Sequence, residues 1–200
     1  ERGFDEINFD YIRFASDGKI SDIKHPFWDE KTSRATIIKS FWQYLHDHVN
    51  GKISADLFGL TTVNNDDLGI GQVLTDAAPY FDYIAPMVYP SHFAAGYLNF
   101  SNPAVHPYEV VKNAMTGAVG RLTATSSTAT STSSQHSVLT GGEPRRRRGE
   151  LRPWLQDFDL GATYTAEMVR AQIQATYDSG LTSWMLWDPN NQYTAGALDK

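Results

Sequence analysis

From Phe4 to Phe14 apolar and polar positions alternate, with Ile7, Phe9 and Tyr11 on one side and Glu6, Asn8 and Asp10 on the other. That is the period of a strand that packs one face on helices and turns a polar face inward. A turn at Ser16, Asp17 and Gly18 opens a long loop containing His25, Pro26, Phe27 and Trp28. The period then changes: Ile38, Phe41, Trp42, Leu45 and Val49 recur at helical spacing between about Thr32 and Asn50, and Gly51 supplies a left-handed stop. Ile53 to Leu60 reads as a second strand, and Asp67 as the N-cap of a short helix carrying Leu68, Ile70, Val73, Leu74 and Ala78. Tyr83 to Tyr89 is the third strand. A long loop from Pro90 to about Val105 precedes a helix from Tyr108 to about Leu122. The strand Arg152 to Phe158, a helix capped by Thr165 that carries Val169, Ile173 and Tyr177 and ends at Gly180, and the strand Trp184 to Trp187 complete the pattern.

Strands alternating with helices imply a parallel sheet with right-handed crossovers. The expected fold is α/β, a parallel (β/α)8-type barrel. Five strands do not close such a barrel, so the chain reads either as an open sheet or as the C-terminal five units of a barrel whose first three are absent. Glu1 then reads as a cut end. Open apolar edges would leave the isolated chain marginally folded or prone to aggregate. One domain is expected over residues 1–200. Residues 123–150 interrupt it as a Ser/Thr-rich stretch followed by the run Arg145 to Arg148, which holds too little apolar surface to fold. Lying between a helix and the next strand, this insertion belongs on the face away from the strand C-termini.

With 200 residues, 41% of them hydrophobic, the chain can bury one sizeable core. A net charge of -6 gives no electrostatic reason to bind nucleic acid or an anionic membrane. The absence of cysteine removes disulfides, thiolate metal sites and cysteine nucleophiles, and leaves the compartment open. No apolar stretch reaches the roughly 18 residues of a membrane helix, and no basic-then-apolar signal segment opens the chain. His25, His46, His48, His92, His106 and His136 are scattered, so no metal is expected. Gly69 to Gln72 lacks the spacing and the lysine of a nucleotide cradle, and no serine elbow is present. No cofactor is expected. Oligomeric state is not legible.

The segments DEINFDYIRFASDG, SADLFGL, DDLGIGQVL, APMVYPSHF, NPAVHPYEVV, RPWLQDF and WMLWDPNNQY resemble a bacterial family of putative glycosyl hydrolase domains. The likeness covers nearly the whole chain outside the insertion. It implies a (β/α)8 barrel in which the first segment is the fourth strand and the last the eighth, and a carbohydrate substrate. A looser similarity to chitinase-type barrels breaks at one place. Their fourth-strand pattern D-x-x-D-x-D-x-E falls here on Asp5, Asn8, Asp10 and Ile12, and an isoleucine cannot protonate a leaving group. Any acid must come from another strand.

Glycoside hydrolysis generally uses one carboxyl to protonate the leaving oxygen and a second, ionised, to attack or to activate water. Asp10 and Asp56, ending adjacent strands, are the candidate pair. The plainer alternatives are that Asp10 is a structural partner of Arg13 and that Asp56 caps a turn beside Gly59. Arg13, Tyr89 and His92 are candidate substrate contacts, with Met87 filling the barrel floor. Trp184 and Trp187 offer faces for sugar stacking, and Gln156, Asp157 and Asp188 offer polar groups at strand ends. Asp188 is also the alternative acid. The leading expectation is a hydrolase acting on a polysaccharide or oligosaccharide. The competing readings are a carbohydrate-binding barrel without catalysis and a phosphate-binding lyase, whose Gly-rich anion site after the last strands is not visible in WDPNNQY.

Overall fold

The computed structural model describes residues 3–130 and 149–198. One sheet contains β1 (Glu6–Phe9), β2 (Lys52–Phe58), β3 (Tyr83–Met87), β4 (Glu150–Leu151), β5 (Trp154–Gln156) and β6 (Met185–Trp187). Every pairing is parallel, in the order β1-β2-β3-β5-β6, with β4 also on β3. Helices α1 (Arg34–His48), α2 (Leu74–Ala77), α3 (Pro107–Thr130) and α4 (Ala166–Asp178) fall between successive strands. The strand–helix alternation of a (β/α)8-type barrel is thus carried through part of its circumference as a half-barrel.

Side-chain alternation gives the sheet two distinct faces. Ile53, Ala55, Leu57 and Ile84 point outward and are buried with Trp42, Leu45, Leu74 and Phe81 in one apolar cluster. Leu155 and Leu186 point the same way, into a second cluster with Val110, Met115, Val169 and Ile173. Two packed clusters on the helix side leave the opposite face to Asn8, Ser54, Asp56, Trp154 and Trp187. Near the N-terminal end of that inner face, Arg152 donates to Glu6 at 3.0 Å and lies 3.5 Å over the ring of Tyr83. A paired charge on an aromatic face fills the floor that Met87 was expected to fill. Met87 instead ends β3 and lines the mouth.

Several expected boundaries move for local reasons. β1 stops at Phe9 because Tyr11 takes a left-handed φ of 57° while its N–H donates to Asp10 Oδ1 at 2.6 Å. Tyr11 therefore leaves the helix-facing row and lines the inner cleft. Asp67 is not a helix N-cap: it accepts from Gly69 N at 2.9 Å in a turn with Leu68 and Gly69 at positive φ. The helix begins later, at Leu74. The strand expected over Arg152–Phe158 narrows to Trp154–Gln156, and a separate two-residue strand precedes it at Glu150–Leu151, with Pro153 between them lacking an N–H to give a ladder. Phe41 on α1 and Tyr177 on α4 face outward, leaving Ile38, Trp42 and Leu45, and Val169 and Ile173, as the buried stripes. Ser33 caps α1 by accepting from Thr36 N at 3.1 Å, and Thr165 caps α4 through Met168 N at 3.4 Å. α3 continues to Thr130, into the stretch expected to stay unfolded. His136 and Arg145 to Arg148 lie outside the described residues.

Gly59, just after β2, sits where no side chain fits. A Cβ there would stand 2.4 Å from the Met87 carbonyl oxygen and 3.2 Å from Val88 Cα, both backbone atoms. Gly59→Ala must push the ends of β2 and β3 apart, so urea unfolding should show a loss of about 1–3 kcal/mol. A change under about 0.5 kcal/mol would mean the two strand ends do not meet this closely.

Candidate active site

The parallel register fixes which side chains meet. Asn8 pairs with Ser54 and Phe9 with Ala55, so Asp10, one residue past β1, comes beside Asp56 on the neighbouring strand. Adjacent strands lie about 4.8 Å apart. Asp10 is exposed and lines a cleft of about 550 Å³ together with Tyr11, Phe58, Leu60, Met87 and His92. Asp56, on the same inner face, is only 6% exposed.

Both oxygens of Asp56 are held. Oδ2 accepts from Asn8 Nδ2 at 2.9 Å and Oδ1 from Trp154 Nε1 at 2.8 Å. Asn8 is itself oriented by Ser54, whose hydroxyl donates to Asn8 Oδ1 at 2.6 Å. The Asp56 pKa is raised to about 6, chiefly by burial; the indole and amide donors oppose the rise, and the neighbouring Asp10 charge adds to it. The desolvation cost exceeds what two donors return. A carboxyl poised near 6 beside a second carboxylate is the arrangement in which one group can hold a proton while the other is charged.

Tyr89 is buried, edge-on to His92 at 5.1 Å and to Phe158 at 5.4 Å. Its hydroxyl pKa is raised by burial first, and then by the charges of Asp56, Asp10 and Tyr193. His92 is exposed on the cleft wall, and partial desolvation there lowers its pKa. Trp187 is 42% exposed on the inner face and meets Trp154 edge-on at 6.0 Å. A flat apolar corner is thus available beside the carboxylates.

Other candidates are engaged elsewhere. Arg13 does not pair with Asp10; it donates to Phe14 O, Ser16 Oγ and Asp17. Asp56 caps no turn. Trp184 faces the helices, its indole N–H donating to Tyr177 Oη at 3.0 Å, because alternation puts it opposite Trp187. Gln156 is fully buried, accepting from Ser91 N and donating to Phe158 O, so it fastens two loops. Asp157 accepts from the N–H and hydroxyl of Thr194 at 2.8 and 2.7 Å. Asp188 accepts from Asn190 N and Gln192 N, which shapes the turn after β6.

Asn8, Ser54 and Trp154 are the residues that sequence reasoning passed over. Asn8 stands two before Asp10 on the same inner row, and Ser54 two before Asp56. Trp154 is inward by the rule that sends Leu155 outward. Tyr193, on a loop, carries no such signal. Among the described residues no group of three or more His, Asp or Glu side chains could hold a metal ion.

No curated protein sequence matches the chain. One similar solved structure is that of the PgaB (BpsB) glycoside hydrolase domain from Bordetella bronchiseptica, at 15% identity and a TM-score of 0.48. The match covers 77% of this chain and 37% of that one, so the chain spans little more than a third of its length. The family described as "Putative glycosyl hydrolase domain" matches residues 1–193. By that match, over nearly its whole length, the chain belongs to the family of putative glycosyl hydrolase domains.

Proposed function

We propose that this domain hydrolyses glycosidic bonds of an oligosaccharide or polysaccharide, with Asp56 as proton donor and Asp10 as its ionised partner. The observation that carries the reading is the Asp56 carboxyl, raised to about 6 by burial two residues before the end of β2, beside the exposed Asp10 carboxylate just past the end of β1. Asp56 would pass its proton to the glycosidic oxygen as the bond to the anomeric carbon breaks. Asp10 would attack that carbon or take a proton from the attacking water. Trp187 and the apolar cleft walls give the sugar rings a surface to lie on.

A second reading is favoured by a specific observation. Ile12, at the place where chitinase-type barrels carry their acid, is buried in the apolar cluster behind the sheet. That suits a carbohydrate-binding barrel without turnover.

Reducing-end release from a panel of glycans, measured against pH on the intact protein, separates the two. Turnover needs Asp56 protonated, so the rate should fall as pH rises through about 6. Retention of a glycan with no release at any pH would favour the binding reading.

A further inference from the structure

We propose that the cleft accepts an uncharged glycan and turns away carboxylated or sulfated ones, and that Asp17 sets this preference by holding the Arg13 guanidinium. The inference rests on the glycosidase reading and adds to it the class of substrate.

Arginine is the side chain best suited to bind carboxylate or sulfate, through its planar fork of donors. Arg13 lines the cleft, but its fork is taken up. Nη1 donates to Phe14 O at 3.0 Å and to Ser16 Oγ at 2.9 Å, and Nη2 to Asp17 Oδ2 at 3.3 Å. The guanidinium carbon also lies 4.0 Å from the centre of the Tyr11 ring and 4.5 Å from that of Phe58. Only 6% of the Arg13 side chain is exposed, against 70% for Asp17. The Tyr11 hydroxyl donates to the same Asp17 oxygen. Tyr11 first, and Arg13 after it, keep the Asp17 carboxyl below its usual range, so its negative charge persists into mildly acid solution.

The other titratable groups facing the cleft add no positive charge at neutral pH. His92 is exposed with a lowered pKa, and Asp10 and the buried Asp56 are acidic groups. Phe58, Leu60, Met87 and Phe93 make the remaining wall apolar. An anionic sugar would meet Asp10 and Asp17 with no uncommitted cation among the described lining residues. Like charges brought together with loss of water are strongly disfavoured. An uncharged ring meets no such penalty.

The test uses matched pairs of polysaccharides, each before and after chemical reduction of its carboxyl groups to alcohols, with binding to the intact protein measured by affinity electrophoresis. The wild type should bind the reduced member at least about tenfold more tightly than the carboxylated one. Asp17→Asn should narrow that ratio by about fivefold or more, through a gain for the carboxylated member as Arg13 is released. Adding Arg13→Gln should abolish the gain, which loss of one negative charge alone would not do. Equal binding of both members by the wild type would overturn the proposed preference while leaving the glycan reading intact. An unchanged ratio in Asp17→Asn would overturn the role of Asp17. Failure to bind either member of any pair would remove the glycan reading, and this inference with it.

Discussion

Asp56→Asn should abolish most turnover and yet make the fold more stable at neutral pH. Without a proton to give, the variant should lose about 10²–10⁴ in rate. The stability change follows from the direction in which burial moves the pKa. A folded-state pKa of about 6 against the ordinary 3.8 means the folded protein binds a proton more tightly than the unfolded chain does. Stability from this group is therefore fully present below about pH 3.8 and is lost as pH rises through about 6. At pH 7 the buried charge costs on the order of 3 kcal/mol, since each tenfold difference in proton affinity is worth about 1.36 kcal/mol. Asparagine removes that charge. It also fits the hydrogen bonds, because Asn8 can turn its amide over, accept from the new Nδ2 and donate to Ser54 Oγ, while Trp154 still donates to the new Oδ1. Urea unfolding at pH 7 should show a gain of about 1–3 kcal/mol that disappears by about pH 4. A loss of stability at pH 7 would mean that Asp56 is held by its donors more strongly than burial opposes it.

Asp10→Asn should also stop turnover, but with a different signature. Asp10 is exposed on the cleft and accepts from Tyr11 N at 2.6 Å, a bond the asparagine oxygen can keep. The fold should melt close to the wild type, within about 0.5 kcal/mol, as exposed substitutions usually do. The rate should fall by about 10²–10⁴, with glycan binding retained, because in the proposed reaction the group lost is the one that attacks the anomeric carbon or activates the water. The substitution also removes a charge that raises the Asp56 pKa. Residual activity should therefore decline at a lower pH than in the wild type. Unchanged turnover would remove Asp10 from the reaction.

The sequence-level reading works where alternation works. The strand and helix order, the parallel sheet and the inner row of Asn8, Asp10, Ser54 and Asp56 all follow from period-2 runs between helical ones. Where one backbone angle redirects a side chain, periodicity is blind: Tyr11 at positive φ turns from the helix side into the cleft. Polar residues at strand ends have partners that periodicity does not show: Gln156, Asp157 and Asp188 accept from loop backbone. Arg13 illustrates the same limit from the other side. Its nearest carboxylate in sequence is Asp10, but the turn at residues 14–17 brings Asp17 to it. The partners that tune Asp56 come from β1 and β5, 48 and 98 residues away, and only the sheet order puts them on one carboxyl.

The most direct measurement follows the Asp56 carboxyl carbon by NMR as pH is varied, in the wild type and in Asp10→Asn. A midpoint near 6 in the wild type that moves down in the variant is the predicted result. A midpoint near the ordinary 3.8 in both proteins would show a carboxylate neither strained by burial nor sensed by its neighbour, and would contradict the paired-carboxylate site.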